Sequence, residues 1–376
     1  MLSQPPIWLI LIAFVCALGP LVFFHELGHY LVARWLGVGA ETFSIGFGHE
    51  VTGWTDKRGT RWKVGWLPLG GYVKFVGDEN AASASGDQSQ LTLEQQAVSF
   101  HLRPVWQRFL IVLAGPVANF LLAIAIFAAF FAVYGAPSTP TVVNSIEAGS
   151  AASGVNIKPG DRIVSIGGRP TPTFEDLRNF VMLRPGEVVT VQLERNQQPR
   201  ELQVKLGTEV EKDRFGQTFR KGLLGVSPVA AVYKPVPALR LVPAATTYVF
   251  GMTRTMWEAL GQIITGRRSV KELGGPLKIA QVAGQQASLG LVDFVGLIAL
   301  LSINLGFINL LPVPVLDGGH LLFYGIEAVR RRPVSPRAQD WAFRGGLAFI
   351  LALLIFTTVN DLGSFGVWER LGRLIG

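Results

Sequence analysis

Apolar and polar positions fall into long blocks along the chain, and four of the blocks contain almost no charged residues. The first lies within residues 1–36 and begins at Ile7, and the others cover 109–133, 295–329 and 341–362. A helix needs about 20 apolar residues to cross the hydrocarbon core of a bilayer. The pattern therefore predicts an α-helical bundle of about four transmembrane helices.

The segment between the second and third blocks follows a different pattern over residues 140–207. Residues 188–195 and 200–206 alternate apolar and polar positions on either side of a polar turn, which predicts a β-hairpin. Thr173 and Asp176 predict the capped start of a helix that ends before Pro185. We expect a small β-rich domain inserted between the second and third spans.

Residues 208–294 combine two patterns. Glycine and proline interrupt the chain as far as about Pro243, which is typical of a linker. Residues 244–264 then mix apolar positions with Arg254 and Glu258, which predicts an amphipathic helix. Such a helix lies on the membrane surface or packs against the β-rich domain, and the sequence leaves both arrangements open.

The composition supports an integral membrane protein. Of the 376 residues, 49% are hydrophobic and only 16% are charged, whereas about 25% are charged in an average soluble domain. Lys and Arg outnumber Asp and Glu by 34 to 26, but no basic and aromatic stripe accompanies this excess. We therefore expect no nucleic-acid partner, and we attribute the excess to the positive-inside rule.

The positions of the basic residues also predict the orientation. Arg330, Arg331, Arg332 and Arg337 lie between the third and fourth spans with no acidic residue among them, which places this connection in the cytoplasm. With four spans, residues 37–108 must then also be cytoplasmic. Residues 134–294, including the β-rich domain, and both termini are expected on the opposite side.

His25, Glu26 and His29 form the pattern His-Glu-x-x-His within the first block. Residues i and i+4 share one face of a helix, so both imidazoles can bind one zinc ion. Glu26 then lies next to the open position of the metal, where a general base is needed. Ionisable side chains at bilayer depth are costly and usually mark a functional site. We therefore expect a metalloprotease site within the membrane.

Asp317 is the best candidate for a third ligand, because a catalytic zinc ion usually has three protein ligands. It follows Pro312 and Pro314, which interrupt the third span, and it precedes a Gly-Gly pair. The distorted backbone allows its carboxylate to turn towards the first span. His320 is an alternative ligand, although a supporting polar role suits it better once the set is complete.

Together these motifs resemble the site-2 protease family of intramembrane zinc metalloproteases. The resemblance rests on His-Glu-x-x-His, on the run Asn309-x-x-Pro-x-Pro-x-Leu-Asp317-Gly, and on the β-rich insertion, which resembles a PDZ domain around residues 158–163. Further similar segments are 68–74, 115–119 and 274–276. The most similar branch is bacterial and includes the regulator-of-sigma-E protease. Some members of that branch carry two PDZ domains, whereas only one fits here.

The resemblance implies that His25, His29 and Asp317 bind Zn²⁺ and that Glu26 is the general base. It implies cleavage of transmembrane segments of membrane proteins in regulated intramembrane proteolysis, such as that of an anti-sigma factor after a first extracytoplasmic cut. The chain would then span the bacterial cytoplasmic membrane, with the PDZ-like domain and both termini in the periplasm. The active site would lie towards the cytoplasmic side.

A second group of residues is predicted to hold the substrate. A helical substrate must unwind before attack, because its carbonyl groups are engaged in hydrogen bonds. The glycine-led, β-prone run Gly70-Gly71-Tyr72-Val73 is suited to pair with the extended chain, and the family has a membrane-dipping β element here. Matching asparagines of the family contact substrate, which implies the same for Asn304 and Asn309. Their alternative role is hydrogen bonding between helices.

Other interpretations remain open at this point. A membrane scaffold would bind a peptide C-terminus through the PDZ-like domain and use the metal only structurally, and a divalent-metal transporter would need a polar path through several spans. Neither function requires a base at Glu26. For the other polar residues we expect no catalytic role, with His49 and His101 solvated and Asn119 in helix packing.

Overall fold

The computed structural model describes residues 5–78, 91–212, 218–229, 232–266, 269–270 and 273–364 of the chain. The chain divides into two compact units. One comprises the residues up to Phe127 together with 275–359, and the other comprises 128–274 and the last described residues from Asn360. The first unit carries most of the apolar helices, and the second contains most of the strands.

Four helices of the described chain are long and apolar enough to cross a membrane, which confirms the predicted fold class. They are α1 (Ile7–Trp35), α3 (Val105–Tyr134), α7 (Leu291–Asn309) and α9 (Pro336–Ser364). The remaining helices are shorter or more polar: α2 (Leu93–Val98), α4 (Phe174–Met182), α5 (Leu241–Ile264), α6 (Pro276–Leu289) and α8 (Asp317–Arg330). α6 packs against the first half of α1, where Gly284 lies so close to Ile10 that a Cβ atom would meet its Cγ1 at 2.7 Å.

The pattern predicted a single, interrupted helix over residues 295–329, but the structure has two separate helices there. α7 ends at Asn309, and α8 begins separately at Asp317. Between them, two prolines remove backbone donors, and Val315 has φ of 86°, a left-handed conformation that a β-branched residue rarely adopts. Gly346 of α9 supports this turn, because a Cβ atom there would lie 2.3 Å from the carbonyl oxygen of Pro314. The turn places Asp317 at the start of a new helix.

A sheet packs against the first span. It consists of β1 (Ala40–Thr55) and β2 (Arg61–Phe75), with Val73 opposite Phe43 and Gly71 opposite Ile45. Phe43 is completely buried, and its ring stacks on Trp62 at 4.2 Å. The other edge of residues 67–75 has no partner strand among the described residues. We call residues 67–75 the wall strand, because residues 70–73 and Phe75 line the cavity described below.

The second unit contains the predicted β-rich domain. Its strands are β3 (Ala136–Ser138), β4 (Val143–Ile146), β5 (Arg162–Ile166), β6 (Arg169–Pro170), β7 (Val188–Arg195), β8 (Gln198–Lys205), β9 (Gly207–Lys212), β10 (Thr218–Leu223), β11 (Val226–Pro228) and β12 (Val232–Lys234). One sheet has the order β6-β5-β7-β8, and β7 and β8 form the predicted hairpin, with Val189 opposite Val204. Thr173 and Asp176 form a capping box at the start of α4.

The predicted boundary of this domain at residue 207 needs correction. β11 pairs with β4, and β12 pairs with β3, so the domain continues to residue 234 instead of giving way to a linker at 208. Leu224 is buried in the same core as Leu206. A larger residue does not fit at position 222, because a Cβ atom on Gly222 would lie 2.1 Å from the Val181 carbonyl oxygen. Gly222 and Gly225, two of the glycines that suggested a linker, therefore serve close packing and a turn.

A buried ion pair stabilises the β-rich domain. Arg195 Nε donates to Asp161 Oδ1 and Arg195 Nη2 to Asp161 Oδ2, both at 2.7 Å, and the Lys158 amide donates to Oδ2 at 2.8 Å. Burial opposes ionisation of Asp161, but the hydrogen bonds from Arg195 and Lys158 outweigh it and hold the pKa of this carboxyl below its ordinary value.

We expect Asp161→Asn to destabilise this domain by about 1.5–3 kcal/mol at pH 7 because it removes charge-assisted hydrogen bonds. A depressed pKa stabilises the fold above the unfolded value of about 4, and the contribution is lost as the pH falls through the folded value. The difference from wild type should therefore narrow below about pH 4. This stability difference is measured by thermal unfolding of the full chain in detergent, with proteolysis as the readout of unfolding. The exposed Glu201→Gln is the control, and equal stability of Asp161→Asn at pH 7 would contradict the assignment.

Candidate active site

His25, His29 and Asp317 converge, although almost three hundred residues separate the motifs. The Nε2 atoms of the two histidines are 3.3 Å apart, and Asp317 Oδ2 lies 3.2 Å from that of His25 and 3.5 Å from that of His29. Both histidines are buried. Across the described parts of the chain, this is the one group of three or more His, Cys, Asp or Glu residues that fits a metal ion.

The three donor atoms fit a zinc ion by distance and by chemistry. Bonds of about 2.0–2.1 Å in a tetrahedron give ligand-to-ligand distances of about 3.3–3.4 Å. Asp317 Oδ2 is buried without a hydrogen-bond partner in the described residues, which is costly for a carboxylate oxygen. Two imidazoles and a carboxylate are a common set for catalytic zinc, which leaves a coordination position for the reaction.

Contacts behind the histidines orient their rings. His29 Nδ1 lies 2.9 Å from the carbonyl oxygen of Ile111 on α3, so Nδ1 carries the proton and Nε2 offers its lone pair to the metal. His25 Nδ1 lies 3.0 Å from the side-chain amide of Asn119. The nitrogen of this amide faces His25, and its oxygen points away and is buried without a hydrogen-bond partner. Turning the amide by 180° lets this oxygen accept the Nδ1 proton of His25, which leaves its Nε2 free to bind the metal.

The expected role of Asn119 in helix packing is therefore incomplete. Its side chain meets His25, and its backbone carbonyl accepts a hydrogen bond of 2.7 Å from Ser302 of α7. A completely buried asparagine in an apolar span needs partners for all its polar atoms. That requirement was a signal in the sequence, but it did not indicate which residue the amide would meet.

Two glycines allow α1 and α3 to cross closely at the site. A Cβ atom on Gly28 would lie 2.3 Å from the carbonyl oxygen of Ala114, and one on Gly115 would lie 2.2 Å from His29 Nε2. Any larger residue at Gly115 would occupy the space of the imidazole ring. The close crossing is therefore part of the metal site as well as of helix packing.

A cavity of about 410 Å³ contains the donor atoms and Glu26. The backbone of Val73 lies next to the Glu26 carboxylate, and Gly71 packs so closely that a Cβ atom there would lie 3.1 Å from Glu26 Cγ. The cavity lining also includes Gly70, Tyr72 and Asn309. The cavity is many times larger than the space that one water molecule needs.

Not every predicted residue belongs to this cavity. Asn304 is half-buried on α7 and does not line it. His320 does line it, but it is not part of the donor group, and its ring packs against Phe343 with centroids 5.0 Å apart. His320 thus borders the site without completing the ligand set.

His101 is not simply solvated, as the sequence led us to expect. Its Nε2 lies 2.8 Å from Oδ1 of the buried Asp78, which follows the wall strand. The contact joins residues 23 positions apart, and no spacing rule predicts it. His49, by contrast, is exposed.

We expect Asn119→Ala to weaken zinc binding about 10–100-fold, the usual effect of losing a residue that orients a metal-binding histidine. Asn119→Asp keeps an oxygen acceptor for the Nδ1 proton of His25 and should bind zinc nearly as wild type does. Chelator competition on purified protein in detergent measures both affinities. Wild-type affinity in Asn119→Ala would show that the amide does not support the ligand.

Comparisons with known proteins agree with this site. The model of peptidase family M50 matches residues 13–353. A protein of Agrobacterium fabrum whose name proposes a zinc metalloprotease is 44% identical over 94% of this chain and 96% of its own length. Metalloprotease MmpA of Caulobacter vibrioides is 38% identical over 97% of this chain and 98% of its own.

The β-rich domain was also compared with solved structures. The PDZ domain of an SdrC-like protein from Listeria monocytogenes matches 24% of this chain and 87% of its own, with 17% identity and a TM-score of 0.19. A similarity at this level does not establish the fold, so the PDZ interpretation stays a prediction. The family match and the relatives extend over almost the entire chain, and the chain therefore belongs to peptidase family M50, the zinc-dependent site-2 protease family.

Proposed function

We propose that this zinc metalloprotease is an intramembrane endopeptidase that cleaves transmembrane segments of other membrane proteins. One observation carries the proposal: the three donor atoms and Glu26 share a cavity with a strand edge that has no partner strand among the described residues. α1, whose length and composition suit a membrane span, supplies His25, Glu26 and His29. A substrate for such a site is itself an apolar segment.

His25, His29 and Asp317 would hold the metal, and Glu26 would move the protons. Bound zinc supplies a Lewis acid that makes water nucleophilic at neutral pH. Glu26, beside the ligand histidines, takes a proton from the attacking water and later donates it to the leaving amine. Val73 and Gly71 lie next to the Glu26 side chain, which brings the base close to the wall strand.

The wall strand would bind the substrate backbone. A transmembrane helix that unwinds loses its internal hydrogen bonds, and in a low-dielectric site each lost bond must be replaced. The free edge of residues 70–73 offers backbone donors and acceptors for this purpose. Asn309 adds a neutral amide donor for the substrate backbone or the developing oxyanion. Asn304 lies outside the cavity lining, which favours its alternative role between helices.

Charge and family support the location and the pathway that we propose. The arginines at 330–332 and 337 support a cytoplasmic connection between α7 and α9, with the β-rich domain and both termini outside. The bacterial relatives support the cytoplasmic membrane. We place the reaction in regulated intramembrane proteolysis, such as cleavage of a membrane-bound anti-sigma factor after a first extracytoplasmic cut.

We further propose that the β-rich domain binds a peptide C-terminus, as PDZ domains do. A groove of about 250 Å³ lies between α4 and residues 221–226. Leu177, Val181 and Met182 make it apolar, and Arg178 and Lys221 add positive charge. This combination suits an apolar residue that ends in a carboxylate.

We expect Glu26→Gln to abolish cleavage while zinc remains bound, because the amide cannot accept a proton and the metal ligands are untouched. The assay uses a tagged single-span substrate in liposomes, a panel of helix-destabilised versions of it, and a zinc determination on each protein. Cleavage by the mutant at the wild-type rate would reject the role of Glu26. Zinc binding without cleavage of any substrate by the wild type would favour a scaffold.

The groove is tested with a fluorescent pool of peptides that end in an apolar residue. Binding to the full protein should require a free carboxylate and should be lost with amidated ends. Met182→Glu should weaken binding about tenfold or more, since it adds a negative charge to the groove. The matched control is Val188→Glu on β7, which lies outside the groove lining. Equal binding of free and amidated peptides would contradict the proposal.

A further inference from the structure

We propose that His101 and Asp78 are positioning residues that set the register of the wall strand and thereby select the peptide bond that is cut. The inference rests on the proposed binding of substrate along this strand. It assigns a purpose to a buried pair that the chemistry at the metal does not use. Both residues belong to the first unit, as do the metal donors and the wall strand.

Asp78 anchors the end of the wall strand. Its side chain is completely buried, and its Oδ2 accepts the backbone N–H of Phe75 at 2.9 Å. The Asp78 amide in turn donates to the Phe75 carbonyl oxygen at 3.1 Å. These two bonds close a turn directly after the last residue of β2. The Asp78 carboxylate is thus one of the groups that hold the strand end in place.

His101 fixes that carboxylate to the loop before α3. Its Nε2 lies 2.8 Å from Asp78 Oδ1, and the neighbouring Phe100 amide donates to the Val76 carbonyl oxygen at 3.2 Å. Phe100 is fully buried and stacks on Phe75 with ring centroids 5.2 Å apart. The Val76 amide also donates to the Gly39 carbonyl oxygen at 2.9 Å. The strand end is therefore held by these backbone hydrogen bonds, one aromatic stack and one charge-assisted contact. His101 contributes the last of these.

This anchor lies close to the chemistry. Phe75 and Phe100 both line the cavity that contains the metal donors, and Val73, five residues before Asp78, contacts Glu26. A shift of the strand end along its axis would move the backbone groups that face the substrate. The opposite edge of the strand is paired with β1, so this pairing and the anchored end together hold the free edge in position.

The consequence of a loose anchor is a change in register. A substrate bound by strand addition is held by main-chain hydrogen bonds, and its position along the strand decides which carbonyl group meets the metal. A slip of one residue turns every side chain to the other face, and a slip of two keeps the faces but shifts the cut. Loss of the anchor should therefore produce several cleavage positions, whereas general destabilisation would lower the rate at an unchanged position.

The test compares His101→Asn with His101→Gln in the full-length protein. The amide nitrogen of Gln reaches about as far as His Nε2 and keeps the bond to Asp78, whereas that of Asn falls about 1 Å short. His101→Ala removes the group altogether, and the exposed His49→Ala is the control. Each protein is assayed for zinc content, kcat, KM and the cleaved bonds of one single-span substrate, identified by mass spectrometry.

We expect His101→Ala and His101→Asn to cut at two or more positions and to lose about tenfold in kcat/KM, the usual size of effect for a hydrogen bond to a buried charge. Zinc content should not change, and His101→Gln and His49→Ala should cut at the wild-type position.

The inference is overturned if both His101→Ala and His101→Asn cut only at the wild-type position, whatever their cleavage rates. If His101→Ala does not fold, the cleavage positions of His101→Asn and His101→Gln are compared instead, and the inference requires that they differ. A wild-type protein that holds zinc but cleaves no substrate of the panel rejects the proposed function instead.

Discussion

Two imidazoles and a carboxylate face one another within 3.2–3.5 Å, and the first unit depends on making this arrangement favourable. Lone pairs at this distance repel, and the carboxylate also loses its hydration on burial. A divalent cation among them converts both costs into binding energy. Metal binding at this site would therefore be coupled to the packing of α1, α3 and α8, because each of these helices positions a donor or its support.

The supports explain features that otherwise seem unfavourable in a membrane helix. Asn119 is completely buried in an apolar span, and it is tolerated because its amide meets His25. Gly115 lowers helix propensity, yet it provides the space for the His29 ring. Val315 adopts a strained backbone angle directly before the segment that presents Asp317. Strain of this kind persists only where the surrounding structure holds it, and it is frequent at functional sites.

The wall strand adds a second constraint, which concerns the substrate. A free sheet edge usually invites aggregation, and proteins normally cover or interrupt it. Here the edge borders the cavity that contains the metal donors, and in the proposed function the substrate segment covers this edge by pairing with it. The anchor at Asp78 and the pairing with β1 keep the edge in one position. Chemistry and substrate alignment therefore share the same few elements.

The sequence by itself determined the apolar spans, the zinc-ligand motif, the distant carboxylate and the family, because these depend on composition, helical periodicity and short spacings. It also indicated the β-hairpin and the capped helix α4. It indicated an interruption at Pro312 and Pro314, but not that two separate helices, α7 and α8, lie on either side of it. Nor did it indicate that the β-rich domain continues through β9 to β12. Prolines and glycines mark breaks, but local sequence does not show whether the chain turns back onto the same core.

Only the tertiary structure decided the partners of the buried polar groups. Asn119 meets His25 across 94 positions, and His101 meets Asp78 across 23. Asn309 enters the cavity, whereas Asn304, on the same helix, does not. Each outcome depends on the rotation and crossing of packed helices, to which many side chains contribute at once. A local pattern shows which residues need a partner, but only the packed chain determines which partner each one finds.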